Sequence, residues 1–207
     1  MAFSDFKAIP DVQEKFRITY ATDNLLGTEE IVNPSEQFLN ELEFSMQHIN
    51  VFVSEGARCE TLIYPILREV YKGYADGYAL WVKKPLVYDQ TLSGIPDYFI
   101  STRSELGMLT VGTPLIILVE AKKNDFEEGW GQCLAELVAA QKINADTNIP
   151  VYGIVSDGER WQFGKLVNDA FIQNRTGFSI DNLPVLFGAI NAVFKAASET
   201  VVTEKIA

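Results

Sequence analysis

The chain has 207 residues, 47% of them hydrophobic and 22% charged, which excludes a wholly disordered protein and predicts one folded domain with a substantial core. Its 17 Lys and Arg residues against 28 Asp and Glu residues give a formal net charge of −11, the opposite of the overall charge typical of nucleic-acid-binding proteins. No apolar run approaches the ~20 residues that cross a bilayer, and residues 1–33 carry no secretory pattern, so we expect a cytoplasmic protein without a membrane partner.

The sequence offers few residues for thiol, imidazole or zinc chemistry. Cys59 and Cys133 lie in apolar helical patterns, where cysteine usually packs as a small hydrophobic residue. His48 is the single histidine and lies on a predicted helix. Two cysteines and one histidine cannot form a four-ligand zinc site of the usual kind, and they leave little room for a Cys-His or Ser-His nucleophile.

Hydrophobic periodicity divides the chain into helical and extended segments. An edge strand is predicted at 16–20, and the residues Asn33-Pro34-Ser35-Glu36 predict a helix start with Asn33 as the N-cap. The other predicted elements are helices at about 34–53 and 57–71, strands at 78–88, 94–101 and 114–122, a helix at 127–145, strands at 149–156 and 160–166, and a last helix at 182–198. This order predicts a mixed α/β fold, because a purely parallel fold would alternate strands with helices throughout.

Charged residues lie on the two strands that are expected to be neighbours. Asp97 lies in one strand, and Glu120-Ala121-Lys122 ends the next, directly after the apolar run 115–119. Side chains alternate along a strand, so Glu120 and Lys122 share one face and Ala121 points to the other. If the strands pair, Asp97 joins Glu120. Two carboxylates, together with water and a backbone carbonyl, are ligands that suit Mg²⁺.

These residues, Pro96-Asp97 followed by Glu120-Ala121-Lys122, resemble the signature of the PD-(D/E)xK nuclease superfamily. The resemblance covers about 55–166, and the layout is similar to the nuclease domains of type I restriction motor subunits. It implies a restriction-endonuclease-like mixed β-sheet core flanked by helices, within a single domain of residues 1–207 that adds an N-terminal extension and a C-terminal helix. It also implies Mg²⁺ or Mn²⁺ held by Asp97, Glu120 and the backbone carbonyl of Ala121, with Lys122 orienting or deprotonating the attacking water.

A glutamate on the helix before the sheet adds to the resemblance. Glu60 falls within the same ~100° arc of an ideal helix as Ile63 and Leu67, so we expect its carboxylate on the core-facing side, in support of the metal. Glu69 lies nearly opposite and is expected to be solvated. The alternative interpretation is that Glu60 is favoured only by the helix dipole at the N-terminal end of the helix.

The helix after Lys122 carries a further candidate. Gln132 stands where several families of the superfamily have a glutamine that faces the site, and the resemblance implies that it contacts a water bound to the metal or a phosphate. Some of these families have a tyrosine four residues later, where this chain has Glu136. Because a further carboxylate would repel a phosphate, we expect Glu136 on a solvated helix face.

The segment that closes the resemblance is a hairpin. Asp157-Gly158 is a strong turn signal between two predicted strands, and Trp161 follows it on the second strand. We expect Trp161 to cover the core rather than to stack on a nucleic-acid base.

Two functions remain open from the sequence. The leading hypothesis is a Mg²⁺-dependent endonuclease or other phosphodiesterase acting on nucleic acid, with DNA favoured, alone or as a homodimer or with a protein partner. The candidate phosphate contacts of this hypothesis are Arg58, Lys83, Lys84, Arg103 and Lys123. These residues are equally well explained as surface charges that keep the protein in solution. The alternative is a non-catalytic scaffold or interaction domain, which the net charge favours and the complete Asp-Glu-Lys set opposes.

Overall fold

A mixed β-sheet of eight strands forms the centre of the computed structural model, which describes residues 2–26, 30–123 and 125–204. The strands are β1 (Thr19–Asp23), β2 (Tyr78–Val82), β3 (Leu86–Val87), β4 (Ser93–Gly94), β5 (Tyr98–Arg103), β6 (Val111–Ala121), β7 (Val151–Ser156), β8 (Arg160–Val167), β9 (Ala170–Asn174) and β10 (Phe178–Ser179). Seven of them lie side by side in the order β1-β9-β8-β7-β6-β5-β2, and β10 pairs with β8. The short strands β3 and β4 form a separate ribbon.

Helices cover both faces of this sheet. They are α1 (Ile9–Phe16), α2 (Glu36–His48), α3 (Glu55–Arg58), α4 (Tyr64–Tyr71), α5 (Phe126–Asn144) and α6 (Leu183–Glu204), and the π-helix Cys59–Ile63 joins α3 to α4. Helix α5 packs on one face and carries α1 on its outer side, whereas α4 and α6 pack on the other face. The predicted mixed α/β fold with flanking helices is therefore confirmed. Within the described ranges, no helix is both long enough and apolar enough to cross a bilayer.

The N-terminal elements differ most from the prediction. The sequence pattern predicts neither α1 nor the late strands β9 and β10. The edge strand starts later than expected, at Thr19, and it does lie at the edge of the sheet, parallel to β9. Helix α2 begins at Glu36 because Ser35, rather than Asn33, is the N-cap: the Ser35 hydroxyl accepts a hydrogen bond from the Phe38 N–H at 3.2 Å.

The central strand β6 and the hairpin that follows α5 agree with the prediction. β6 is buried along most of its length and pairs antiparallel with β5 and parallel with β7. Its apolar run 115–119 indicates this position, because a strand covered on both faces needs apolar residues at consecutive positions. Gly158, at a φ of +88°, turns the chain between β7 and β8, and Trp161 is fully buried.

The π-helix before the sheet changes which side chains face the core. A π-helix advances by a smaller angle per residue than an α-helix, so residues on its two sides lose their ideal helical phase. Glu60 is thereby rotated away from the stripe that contains Ile63 and Leu67. The buried residues of this stretch are Arg58, Cys59, Leu62, Ile63, Ile66, Leu67 and Val70.

The N-terminal residues pack directly on α5 at a glycine. A Cβ atom on Gly131 would lie 2.5 Å from the Ala8 nitrogen and 2.8 Å from the Phe6 carbonyl oxygen. These are backbone atoms, so they could not rotate out of the way as the tip of a side chain could. Phe3 and Phe6 are buried in the same apolar cluster as α5. The N-terminal segment thus belongs to the layer that covers the helix carrying Gln132.

We expect Gly131→Ala to lower the free energy of unfolding by about 1–3 kcal/mol, the usual cost of overpacking, because the added methyl group displaces residues 6–8. Gly73→Ala is the matched control, since nothing lies within 4 Å of the position its Cβ would take. That variant should differ from the parent by less than about 0.5 kcal/mol. Equilibrium urea denaturation followed by tryptophan fluorescence measures both values, and equal effects of the two substitutions would contradict the close approach at Gly131.

Candidate active site

The pairing of β5 with β6 brings Asp97 to the segment Glu120-Ala121-Lys122. The strands are antiparallel with Tyr98 opposite Val119, so Asp97, one residue earlier, is in register with Glu120. The Asp97 Oδ2 atom accepts a hydrogen bond from the Ala121 N–H at 2.9 Å. A main-chain donor therefore holds this carboxylate at the end of β6.

Strand alternation places Glu120 and Lys122 on the sheet face that α5 covers. The residue between them, Ala121, packs into the apolar cluster on the opposite face. The Lys122 Nζ atom lies 3.2 Å from the Glu120 Oε1 atom and donates a hydrogen bond to the Gln132 Oε1 atom at 3.1 Å. Because Gln132 is on α5, the helix and the strand together hold the ammonium group between a carboxylate and an amide.

Glu136 lies one turn after Gln132 and extends this polar cluster. The Gln132 Nε2 atom donates a hydrogen bond to the Glu136 Oε1 atom at 3.4 Å. The expectation that Glu136 lies on a solvated helix face is wrong, because its side chain is fully buried. The sheet covers one side of α5, and α1 with residues 3–5 covers another. A local signal of this burial exists, since the neighbouring helix positions are apolar: Cys133, Ala135, Leu137 and Ala140.

Three carboxyl groups share this poorly hydrated space, with exposed fractions of 9% for Asp97, 2% for Glu120 and 0% for Glu136. Burial raises the pKa of Glu120 to about 8, and the charge of Asp97 adds to the effect. Burial also raises the pKa of Glu136 well above its ordinary value, with further contributions from Glu120 and Asp97. Among the described residues, the Oε2 atoms of Glu120 and Glu136 have no hydrogen-bond partner. The cluster therefore contains more carboxyl oxygens than its protein donors satisfy.

Two lysines carry the positive charge of the cluster. Burial lowers the pKa of Lys122, but the attraction of nearby acids, led by Glu120, outweighs burial and raises the pKa overall. The charge of Asp97 raises the pKa of Lys83, whose Nζ atom lies 3.4 Å from the Asp97 Oδ1 atom. Both ammonium groups are therefore charged at neutral pH and partly balance the three acids.

Glu60 does not join this cluster. It is exposed, on the helix that packs against the opposite face of the sheet from α5, and it lines a groove with Leu42 and Ile49. The expectation of a core-facing Glu60 is wrong because the π-helix rotates it out of the apolar stripe. Glu69, expected to be solvated, is instead largely covered, and its carboxylate accepts a hydrogen bond from the Ser35 hydroxyl at 2.6 Å.

Glu55, the first residue of α3, is an acid near the site that the sequence pattern does not single out. Its charge contributes to the raised pKa of Glu120, of Lys122 and of Lys83. The side chain is exposed, so it lies at the rim of the cluster. No motif distinguishes Glu55 from other surface acids, and its position follows only from the packing of the helix.

The basic residues considered as nucleic-acid contacts are dispersed over the molecule. The expectation that Arg58 is an exposed phosphate contact is wrong. Arg58 is buried, and its Nη1 atom donates a hydrogen bond to the Asp157 carbonyl at 2.6 Å. Arg103 lies at the opposite end of β5 from Asp97. Lys83 adjoins the site through Asp97. The Lys84 Nζ atom lies 4.7 Å from the centre of the Trp81 ring, and the Lys123 Nζ atom donates a hydrogen bond to the Val53 carbonyl at 3.3 Å.

The resemblance implies a divalent cation, and the residues present provide a small set of ligands. Within the described ranges, no three His, Cys, Asp or Glu side chains are arranged to hold a metal ion. Asp97 and Glu120 remain as a pair, with the Ala121 carbonyl as the expected third oxygen. Mg²⁺ often binds through one or two carboxylates and keeps several waters, so a pair is sufficient. The unpartnered Oε2 atom of Glu120 fits this arrangement.

The acid cluster predicts a stability that falls as pH rises in the absence of metal. A carboxyl group with a raised pKa in the folded protein stabilises it below the unfolded-state pKa, and this contribution is lost as pH rises through the folded-state pKa. For Glu120 the window extends from 4.5 to about 8. In EDTA, the free energy of unfolding of Glu120→Gln should therefore fall less steeply across this window than that of the parent. Urea denaturation at several pH values measures the two slopes, and identical slopes would show that Glu120 is already ionised at the acidic end.

The comparison of this chain with known proteins adds no assignment to the site. Its sequence matches no family model and no curated protein. The interpretation of the cluster therefore depends on its own residues and their contacts.

Proposed function

We propose that the chain is a metal-dependent nuclease that hydrolyses phosphodiester bonds in nucleic acid, with DNA as the favoured substrate and the cytoplasm as its location. The observation that carries the proposal is the convergence of Asp97, Glu120 and Lys122 at one end of the β5–β6 pair. Their order and spacing along the chain resemble the PD-(D/E)xK signature. The ion would be Mg²⁺ or Mn²⁺.

The two carboxylates would hold this ion from adjacent strands. Asp97 is fixed by the Ala121 N–H at its Oδ2 atom and balanced by Lys83 at its Oδ1 atom, while Glu120 offers its unpartnered Oε2 atom. The Ala121 carbonyl would supply a third oxygen. A bound divalent cation supplies positive charge at the phosphate under attack and lowers the pKa of water.

Lys122 has the geometry of a residue that orients the attacking water. An ammonium group has three N–H donors. Two N–H groups of Lys122 are directed at Glu120 and Gln132. The third N–H group is left for a water or a phosphate oxygen. Because its pKa is raised, Lys122 acts as a charged donor near neutral pH rather than as a proton acceptor.

Attraction to nucleic acid would have to be local, because the whole chain carries a net charge of −11. The lysines of the site and its borders lie in two short segments, 83–84 and 122–123. The first segment directly follows β2, which pairs with β5, and the second directly follows β6. These lysines are the proposed phosphate contacts, whereas Arg58 and Arg103 are not.

We expect cleavage of DNA in the presence of Mg²⁺ or Mn²⁺ and none in EDTA. Lys122→Ala should lower kcat by roughly 100-fold or more, the usual cost of removing one positioned donor at a reacting centre, with little change in Mn²⁺ affinity, because lysine is not a ligand. Asp97→Asn should lose both cleavage and Mn²⁺ affinity, since asparagine keeps an acceptor for the Ala121 N–H but removes the charge. Cleavage assays on single- and double-stranded DNA and RNA, with isothermal titration of Mn²⁺, measure these outcomes.

Lys195→Ala is the matched control for Lys122→Ala. Lys195 is an exposed lysine on α6, which covers the opposite face of the sheet from α5. Its loss should leave both cleavage and metal binding unchanged. If no substrate is cut with either metal and no metal binds, the non-catalytic scaffold that the acidic net charge favours becomes the better description.

A further inference from the structure

Four side chains form a nearly closed ring of polar contacts under the end of β6. Glu120 Oε1 contacts Lys122 Nζ at 3.2 Å, Lys122 Nζ donates to Gln132 Oε1 at 3.1 Å, and Gln132 Nε2 donates to Glu136 Oε1 at 3.4 Å. The ring would be completed between Glu136 and Glu120, whose Oε2 atoms are both buried and without a partner among the described residues. Of these four residues, Glu136 alone has no role in the proposed hydrolysis.

The orientation of the Gln132 amide determines whether the Lys122 ammonium faces a hydrogen-bond acceptor or a donor. A glutamine presents an acceptor on one side of its amide and donors on the other. The acceptor faces the Lys122 ammonium because the donors face the Glu136 carboxyl group. With the amide turned over, two sets of N–H donors would oppose each other, and Lys122 would lose one of its two anchoring contacts.

We infer that Glu136 is a positioning residue that fixes the Gln132 amide, and through it holds the Lys122 ammonium over Glu120. This inference rests on the proposed nuclease function for its catalytic consequence, but the contact itself belongs to the metal-free protein. Glu136 is fully buried, so it cannot itself reach a nucleic acid. Its part is therefore indirect, through Gln132 and Lys122.

Two substitutions at position 136 separate this role from that of a metal ligand. Glu136→Gln keeps an oxygen acceptor for the Gln132 Nε2 atom. Glu136→Met has a similar volume but no such acceptor, and an apolar residue is compatible with a buried position. A positioning residue is rescued by glutamine, whereas a metal ligand is not, because an amide is a far weaker ligand than a carboxylate.

We expect Glu136→Met to lower kcat by about 10- to 100-fold, the range typical of residues that orient the groups of a metal site, with KM and Mn²⁺ affinity nearly unchanged. Glu136→Gln should retain most of kcat. In the metal-free protein, NMR should show the Gln132 side-chain amide protected from hydrogen exchange in the parent and in Glu136→Gln, and unprotected in Glu136→Met. Gln141→Met is the control, because Gln141 is buried on the same helix and its amide bonds carbonyls of residues 147 and 168, away from the site.

Each result supports or overturns the inference. Loss of Mn²⁺ affinity in Glu136→Gln, with activity as low as in Glu136→Met, would identify a metal ligand instead. A Gln132 amide that exchanges freely in the parent protein would overturn the inference without any variant, so a misfolded Glu136→Met protein does not leave it untested. If the parent cuts no substrate but the amide protection depends on residue 136 as expected, the contact stands and the proposed nuclease function fails.

Discussion

The burial of like charges is the constraint on which this site depends. Asp97, Glu120 and Glu136 lie together where little water is available, and each ionised carboxylate raises the cost of ionising the next. The protein compensates with a main-chain N–H for Asp97 and with the two lysines at positions 83 and 122. This compensation is incomplete, which favours the binding of a further proton or, under the proposed function, of a divalent cation. A protein selected for stability alone would place leucine or methionine at such positions.

Strand β6 brings this cluster together because it pairs antiparallel with β5 on one edge and parallel with β7 on the other. Its antiparallel neighbour β5 begins where β6 ends, so Asp97 and Glu120 meet although they are far apart in sequence. Its parallel neighbour β7 accepts the Lys122 N–H at the Ser156 carbonyl, 2.9 Å away, which extends the main-chain order beyond the last paired residue. Helix α5 then approaches from one face with Gln132 and Glu136. The site therefore lies at the ends of two paired strands and on a helix, with Asp97 and Lys122 each one residue outside a strand, which limits the movement of its side chains.

The parts of this arrangement that follow from backbone periodicity could be predicted from the sequence. The alternation of side chains in a strand is enough to group Glu120 with Lys122, and the apolar run before them identifies a central strand. The position of Glu60 could not be predicted in this way, because hydrophobic spacing does not reveal a π-helix. The burial of Glu136 could not be predicted for a different reason: its side chain lies beside Glu120 and Asp97, on the side of α5 that faces the sheet, and long-range packing decides which side that is. The local sign of this position is weak, and consists of the apolar residues around the acid.

The parallel pairing of β1 with β9 has a consequence for the synthesis of this chain. Thr19 pairs with Ala170, so the partner of β1 leaves the ribosome only after roughly 150 further residues, or about 8–30 s at the usual rates of translation. During that time an extended segment with unpaired main-chain groups is available to other nascent chains. The sequence Thr-Tyr-Ala-Thr-Asp of β1 is short, lacks large aliphatic side chains and carries an acid, and all five residues are exposed even in the finished sheet. A strand of this composition gains little by associating with a wrong partner, which makes the delay tolerable.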